Sequence, residues 1–336
     1  MNKLTNCLIN KDTSCFPVWF MRQAGRYLPE FRKIRANNPD FIKLCLNSDL
    51  SSEITLQPIN RFNIDAAIIF SDILMVPYAT GQNVTFKKTE GPILSKLNID
   101  KFLNCDELRF IKKISPVYQA IKKKKKKLNK KKSLISFIGS PWTLIVYMFG
   151  LKKDKNQINL DLLKKKNKEI EQVLKKLINF LFIHIKHQIE SGAEIVQIFD
   201  SWAGLLPEEF LNKYCYEPNR ILVRYCKENK IPVICFPKGL NNNYIDFFKI
   251  VKPDGLNIDY DLKPEWVREN FENICIQGGM HPKILLQDDR KILKEAEKYL
   301  KIFKDFPYIF NLGHGLLPET KPEKLKKLVN FVQNYK

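Results

Sequence analysis

The chain has 336 residues and a formal net charge of +21, and 44% of its residues are hydrophobic. This composition is typical of a globular protein with a large core and argues against global disorder. The N-terminus lacks the pattern of a secretory signal, and glycine and proline interrupt the longest uncharged run, 133–151, so we expect a cytoplasmic protein that does not span a membrane.

The first element along the chain is a stretch rich in arginine. Arg22, Arg26, Arg32 and Arg35 fall within fourteen residues, and Gly25 indicates a loop or a short turn between the first two. The guanidinium group is planar, permanently charged and forked, so it binds carboxylates or phosphates through two parallel hydrogen bonds. The stretch therefore predicts an anion-binding loop. A pair of ordinary surface arginines is the alternative.

Seven short apolar runs follow, and most of them lead into a turn and a helical pattern. Near-continuous apolar runs indicate parallel strands that are covered on both faces. The runs are 66–70, 134–138, 195–199, 233–236, 255–258, 274–277 and 308–312, and the clearest helical patterns are 169–189, 207–225 and 291–303. They predict an α/β fold, a single-domain (β/α)8 TIM barrel over residues 1–336 with one strand not recognised. A doubly wound open sheet is the alternative, but the chain has no glycine-rich nucleotide-binding loop after a strand.

Lysine is concentrated in one part of the chain. Residues 112–176 carry +16 of the net charge, and the run 122–132 has nine lysines in eleven positions. Such a block is usually a solvated surface. The functional alternative is attraction of a polyanion or steering of an anionic substrate. Binding of nucleic acid is disfavoured because the run is nearly free of the aromatic side chains on which bases stack.

Polar residues follow several of the predicted strands, where a TIM barrel carries its active site. Asp72 follows the first predicted strand, Tyr147 lies beyond the second, Ser201 follows the third, and His314 follows the last between two glycines. An aspartate in this place can bind a metal, act as a base, stabilise a cation, or only cap a helix. Tyr147 and His314 also have structural alternatives, as a core tyrosine and a turn histidine. The cysteines and histidines have no zinc-binding spacing, so we expect no metal.

The stretch 17–35, PVWFMRQAGRYLPEFRKIR, resembles the signature of the uroporphyrinogen decarboxylase family. The resemblance continues in 55–77, 139–148, 198–206 and 311–319, so it extends with gaps from about residue 15 to the C-terminus. It implies a (β/α)8 barrel that removes CO2 from the four acetate side chains of uroporphyrinogen III in haem biosynthesis. The product is coproporphyrinogen III. The resemblance also implies that the reaction needs no metal or organic cofactor and that the enzyme is a homodimer.

The same resemblance implies roles for individual residues. Arg22 and Arg26 match the family's carboxylate-binding arginines, and Asp72 matches the aspartate that accepts hydrogen bonds from the pyrrole N–H groups. Arg22, alone or with a bound water, is the expected proton donor. The other substrate-contacting positions that the resemblance implies are Gln23, Ala24, Gly25, Tyr147, Ser201 and His314.

The chain departs from the family pattern in three places. Asn257 and Ile258 stand where the family commonly has Asp-Trp, Gly279 and His281 stand where it has Asn and Asp, and the run 122–132 is unusually basic. These departures put the hydrogen bonding around the site and the stability in question more than the reaction. The closest alternative function is a corrinoid or thiol methyltransferase of the wider superfamily, which would need a His-x-Cys zinc motif that this sequence lacks. A basic nucleic-acid-binding protein is the second alternative.

Overall fold

The computed structural model describes residues 2–87, 91–154 and 157–335. Within these ranges, the seven apolar runs all form strands of one curled parallel sheet. The strands are β1 (Ala66–Ile68), β4 (Ser133–Gly139), β5 (Ile195–Asp200), β6 (Val233–Pro237), β7 (Gly255–Ile258), β8 (Cys275–Gly278) and β9 (Tyr308–Ile309), in that order across the sheet. A separate antiparallel hairpin, which the sequence did not predict, consists of β2 (Val84–Lys87) and β3 (Gly91–Leu94).

Helices connect the strands and cover the sheet. They are α1 (Lys3–Asn10), α2 (Pro29–Asn37), α3 (Phe41–Cys45), α4 (Ser48–Phe62), α5 (Met75–Ala79), α6 (Ile99–Leu103), α7 (Glu107–Lys127), α8 (Pro141–Met148), α9 (Leu160–Lys165), α10 (Asn167–Glu190), α11 (Glu208–Phe210), α12 (Glu217–Glu228), α13 (Tyr244–Val251), α14 (Pro264–Asn270), α15 (Asp289–Ile302) and α16 (Pro322–Gln333). The predicted helices 169–189 and 291–303 correspond to α10 and α15. The predicted helix 207–225 is divided, because a π-helical turn at Leu211–Tyr216 separates α11 from α12.

The segment 17–19 occupies the place of the strand that the sequence prediction lacked. Val18 forms a parallel bridge with Phe310, next to β9, and the Phe310 N–H donates to the carbonyl of Pro17 at 2.8 Å. On the other side, the Asp65 N–H donates to the Val18 carbonyl at 2.8 Å, and the Val18 N–H donates to the Asp65 carboxylate at 2.9 Å. The segment therefore closes the barrel between β9 and β1, and the TIM-barrel prediction is confirmed.

Helix α1 fills the amino end of the barrel. Leu4 and Leu8 are fully buried and belong to the cluster of inward-facing strand residues. A Cβ on Gly255 of β7 would lie 2.7 Å from Cδ1 of Leu8, so the glycine makes room for the helix. Because α1 closes this end, an open cavity is left at the carboxyl end, where the predicted site residues follow their strands.

The lysine-rich run 122–132 lies at the amino end of the barrel, because it ends directly before β4. Several of its side chains bind neighbouring elements: Lys123 contacts Asp49 at 2.7 Å and Lys125 contacts Glu194 at 3.0 Å. Lys124 is fully buried. Since β4 has seven residues, its length separates the run from the carboxyl end of the barrel by about 20 Å.

Candidate active site

The arginine loop begins where the closing segment 17–19 reaches the carboxyl end of the barrel. Arg22 has φ +59°, a left-handed backbone conformation that is uncommon for a residue with a side chain. The next residue holds the turn: the Gln23 N–H donates to the Phe20 carbonyl at 3.1 Å, and its buried side-chain amide donates to the Ala66 carbonyl at 3.1 Å. The loop is therefore fastened to β1, and Arg22 and Arg26 stay exposed.

One cavity at this end of the barrel is lined by every residue that the sequence analysis assigned to the site. Its volume is about 1020 Å³. The predicted residues in its wall are Arg22, Gln23, Ala24, Gly25, Arg26, Asp72, Tyr147, Ser201 and His314. They come from five separate connections of the barrel, so the fold brings together residues that are up to 292 positions apart in sequence. Gln23 differs from the others in that both polar atoms of its buried side-chain amide are engaged in hydrogen bonds to the backbone.

Asp72 has one carboxylate oxygen free to bind a ligand. Its Oδ1 accepts a hydrogen bond from the Leu74 N–H at 2.9 Å, so the predicted capping role is also present. Among the described residues, its other oxygen has no hydrogen-bond partner. The surrounding protein raises the pKa of Asp72 to about 6 by desolvation, and the Leu74 N–H and the positive charge of Arg22 partly offset this effect. Asp72 is therefore mostly ionised at neutral pH, although its charge is poorly solvated.

Arg22 interacts electrostatically with several groups of the cavity. Desolvation by the surrounding protein lowers its pKa, while the nearby Asp72 and Tyr147 favour its charged form and Arg26 disfavours it. The side chain is still exposed to the open cavity, so water reduces the size of these effects. Arg22 and Asp72 thus form a cation and an anion that face the same space.

Tyr147 and Ser201 lie on one wall of the cavity, held by contacts between α8 and the turn after β5. Thr143 of α8 donates its hydroxyl to the buried carboxylate of Asp200 at 2.8 Å, and the same hydroxyl accepts from the Trp202 N–H at 3.3 Å. The rings of Tyr147 and Trp202 are in edge contact with centroids 5.9 Å apart. Burial raises the pKa of the Tyr147 hydroxyl, which therefore remains a hydrogen-bond donor at neutral pH.

His314 is a neutral histidine in this structure. Its Nδ1 accepts a hydrogen bond from the Gly315 N–H at 2.7 Å, so the ring carries its proton on Nε2. Burial lowers the pKa of His314 to about 3, with further lowering by Arg22 and Lys238. The turn-histidine alternative and the site prediction are thus compatible, because one ring nitrogen binds the backbone and the other remains a neutral donor.

The sequence analysis missed the apolar part of the cavity and two further arginines. Phe137, Phe199 and Phe236 of β4, β5 and β6 line the cavity, and the first two rings are 5.7 Å apart in edge contact. Phe199 and Phe236 share one register position. An aromatic residue near the carboxyl end of three consecutive predicted strands was the signal that could have revealed this surface. Arg32 and Arg35 also line the cavity; both lie within the arginine-rich stretch, but no site role was assigned to them.

Two of the departures from the family pattern have local explanations. His281 accepts a hydrogen bond from the Lys283 N–H at 3.0 Å, so a neutral histidine caps the turn that an aspartate would otherwise cap. Asn257 accepts from the Gln277 amide at 2.6 Å and donates to the Ile258 carbonyl at 2.9 Å inside the barrel. These residues do not line the cavity, so the departures affect its support and leave its wall intact.

The part of the chain that the structure describes contains neither a candidate metal site nor a candidate membrane span. There, no group of three or more histidine, cysteine, aspartate or glutamate side chains is arranged to hold a metal ion. No helix in the same part of the chain is both long and apolar enough to cross a membrane.

Comparisons with known proteins agree with the geometry of the cavity. Residues 1–335 match the model of the family described as uroporphyrinogen decarboxylase (URO-D). A uroporphyrinogen decarboxylase from Rickettsia felis is 40% identical over 100% of this chain and 97% of its own length. One from Orientia tsutsugamushi (strain Ikeda) is also 40% identical, over 100% of this chain and 99% of its own length.

Solved structures show a similar fold. A methyltransferase from Methanosarcina mazei superposes with a TM-score of 0.80, covering 98% of this chain and 97% of its own, at 15% sequence identity. A B12-independent methionine synthase from Shewanella has a TM-score of 0.55 over 85% of each chain, at 9% identity. At these identities the likeness shows the barrel fold alone.

Proposed function

This chain belongs to the uroporphyrinogen decarboxylase family, and we propose how its residues carry out the reaction of that family. The enzyme is a carboxy-lyase that decarboxylates uroporphyrinogen in porphyrin and haem biosynthesis. The four acetate side chains of uroporphyrinogen become methyl groups, which gives coproporphyrinogen. The convergence of one carboxylate, two exposed arginines and an aromatic surface on one cavity is the observation that carries the residue assignments.

The arginines bind the carboxylates at the rim of the substrate. Uroporphyrinogen carries eight carboxylates, and a guanidinium binds a carboxylate through two charge-assisted hydrogen bonds. Arg22 and Arg26 both extend from the fastened loop into the cavity and are exposed to it. We assign them to acetate or propionate groups, with the backbone of Gln23, Ala24 and Gly25 forming the wall between them.

Asp72 binds the pyrrole N–H groups at the centre of the substrate. Its free carboxylate oxygen is an acceptor, and the four pyrrole nitrogens of the reduced macrocycle are donors. The phenylalanines of β4, β5 and β6 provide an apolar surface for the macrocycle. Tyr147, Ser201 and the Nε2–H of His314 supply neutral donors to its carboxylates.

The chemical step follows from this arrangement. Protonation of the ring carbon between the acetate-bearing carbon and the pyrrole nitrogen creates a cationic ring. This ring accepts the electron pair released when CO2 leaves, which forms an exocyclic methylene. The methylene then takes up a proton to become the methyl group, and the ring carbon releases the proton that it had gained. The ionised Asp72 stabilises this cation more than it stabilises the neutral substrate, so it lowers the barrier. At about 4 Å and an effective dielectric constant of about 20, the attraction is about 4 kcal/mol.

We assign the proton donation to Arg22, alone or through a bound water. Its guanidinium faces the same space as Asp72, and desolvation lowers its pKa, which makes the proton easier to transfer. The pKa of arginine is high even so. We therefore expect the guanidinium to release its proton only as the pyrrole carbon gains it, in one nearly concerted step. A proton from water then restores the guanidinium.

The decisive experiment is an anaerobic incubation of the purified protein with uroporphyrinogen III. Products with seven, six, five and then four carboxylates should appear in sequence by chromatography after oxidation to porphyrins. The reaction should proceed at full rate in chelator-treated protein. Failure of the Asp72→Asn variant to slow it would remove the proposed role of Asp72 while leaving the activity itself established.

Three further properties stay proposals. We expect the whole chain, residues 1–336, to act as one domain, since the family model matches residues 1–335. We also expect a homodimer, as the family resemblance implies, and sedimentation equilibrium would measure its mass. The cytoplasmic location expected from the sequence remains a prediction.

A further inference from the structure

We propose that Asn311 is a positioning residue of this enzyme, which acts by holding Arg22 in its strained backbone conformation. The inference rests on the role proposed for Arg22. Asn311 follows β9 and is fully buried, and it does not line the cavity. Its effect on the reaction therefore passes through the arginine loop.

Asn311 and the segment that follows it hold both polar backbone groups of Met21, the residue before Arg22. The Met21 N–H donates to Oδ1 of Asn311 at 3.2 Å. The Met21 carbonyl accepts from the Leu316 N–H at 3.0 Å. Oδ1 of Asn311 also accepts from the Leu312 N–H at 2.8 Å, which fixes the direction of its side chain.

Arg22 needs such a clamp because its backbone lies in the left-handed region. A residue with a side chain persists there only when its surroundings hold it, since the conformation is strained. Gln23 fastens the chain after Arg22 through its hydrogen bonds to Phe20 and Ala66. Asn311 fastens the chain before it. With both neighbours fixed, the direction of the Arg22 side chain is fixed as well.

The acceptor oxygen of Asn311 is the atom that holds the backbone of Met21. Its Nδ2 is buried and has no hydrogen-bond partner among the described residues. A buried donor without a partner destabilises the folded protein. The amide nitrogen therefore gives no reason for an asparagine at this position. Aspartate has the same shape and retains the acceptor, whereas leucine has a similar size and lacks it.

The test is a double-mutant cycle on kcat/KM with Arg22→Gln, Asn311→Leu and the double variant. We expect Asn311→Leu to lower kcat/KM about 100-fold, since a displaced catalytic group has effects of this size. The double variant should be no slower than Arg22→Gln alone, because the clamp has nothing to hold once the guanidinium is gone. Asn311→Asp should restore kcat/KM to within about 10-fold of the native value, since it retains the acceptor.

Several outcomes would overturn the inference. They are an Asn311→Leu variant within about threefold of the native rate, effects that multiply in the double variant, or an Asn311→Asp variant as slow as Asn311→Leu. Should Asn311→Leu not fold, Asn311→Ser takes its place in the cycle, because its hydroxyl is too short to reach Met21. Val329→Ala, in the buried face of α16, measures what lost stability alone does to the rate. If Arg22→Gln alone is fully active, the proposed role of Arg22 fails, which is a separate result.

Discussion

Gly315 lies so close to the side chain of Arg22 that a Cβ at this position fits only if Arg22 moves. A Cβ on residue 315 would lie 2.4 Å from Cδ and 2.6 Å from Cγ of Arg22. The backbone of Gly315 is not in the left-handed region, so space alone requires the glycine. We expect Gly315→Ala to displace Arg22 and to lower kcat/KM about 100-fold, measured in the anaerobic assay.

A matched variant separates displacement of Arg22 from loss of stability. Gly192→Ala introduces a Cβ at φ +112°, next to the aliphatic part of Lys125 at the amino end of the barrel. It should destabilise the protein by about 1 kcal/mol or more and leave the kcat/KM of the folded fraction unchanged. Equal rate losses in both variants would show that Gly315 acts on stability and not on Arg22.

Asp72→Asn should lower kcat far more than it raises KM. The amide still accepts hydrogen bonds from the pyrrole N–H groups but no longer stabilises the cation, and the lost attraction of about 4 kcal/mol corresponds to about three decades of rate. Single-turnover kinetics with uroporphyrinogen III measure the chemical step directly. Asp161→Asn, on the exposed surface of α9, is the matched control and should be fully active. A kcat within a few-fold of native in Asp72→Asn would contradict the cation-stabilising role.

The same substitution should increase stability at neutral pH. Desolvation raises the pKa of Asp72 to about 6 in the folded protein, above its value of about 4 in the unfolded chain. Asp72 therefore releases its proton more readily in the unfolded chain than in the folded protein. Its contribution to the free energy of unfolding is favourable below about pH 4 and is lost as the pH rises through about 6. Urea unfolding at pH 5 and pH 7.5 should show that Asp72→Asn gains about 1 kcal/mol of stability relative to the native protein between the two pH values, since about half of the whole effect is already present at pH 5. A constant difference would mean that the pKa is not raised.

The barrel could be predicted because its signals are local. Each strand of the sheet is a near-continuous apolar run, and a run of this kind is buried wherever the fold places it. The closing segment 17–19 escaped prediction because it has no such run: PVW is short, and its pairing with Phe310 and Asp65 joins residues that are distant in sequence. The hairpin β2–β3 was missed although its strands are adjacent in sequence, because neither VTFK nor GPIL is an uninterrupted apolar run.

The polar part of the site was predictable, and the reasons for its geometry were not. Asp72 and His314 stand out as polar residues after apolar strands, and the family resemblance gave them roles. The left-handed conformation of Arg22 and the contact of Gly315 with it depend on packing between the two ends of the chain. Such contacts leave no local pattern. The phenylalanines of the cavity wall were not predicted as site residues, because aromatic residues are common in strands.

His314 should remain neutral throughout the working pH range of the enzyme. Its Nδ1 accepts from the Gly315 N–H, and burial lowers its pKa to about 3. Nitrogen chemical shifts of the histidine ring, measured by NMR between pH 5.5 and 8, should show the Nε2–H form without titration. Free histidine in the same buffer provides the reference for a ring that titrates. A titration of His314 near pH 6.5 would mean that its ring is an acid in the mechanism instead of a neutral donor.

The lysine-rich run should have no part in attracting the substrate. It lies at the amino end of β4, about 20 Å from the carboxyl end, whereas charges are screened over about 8–10 Å at physiological salt. Replacing the exposed Lys122, Lys126, Lys127, Lys130 and Lys131 by glutamine should therefore leave the salt dependence of kcat/KM unchanged. Arg35→Gln, which removes one charge from the cavity wall, should weaken that dependence. The opposite pattern would show that the large positive charge of the chain steers the substrate after all, since a single cavity arginine would then matter less than five distant lysines.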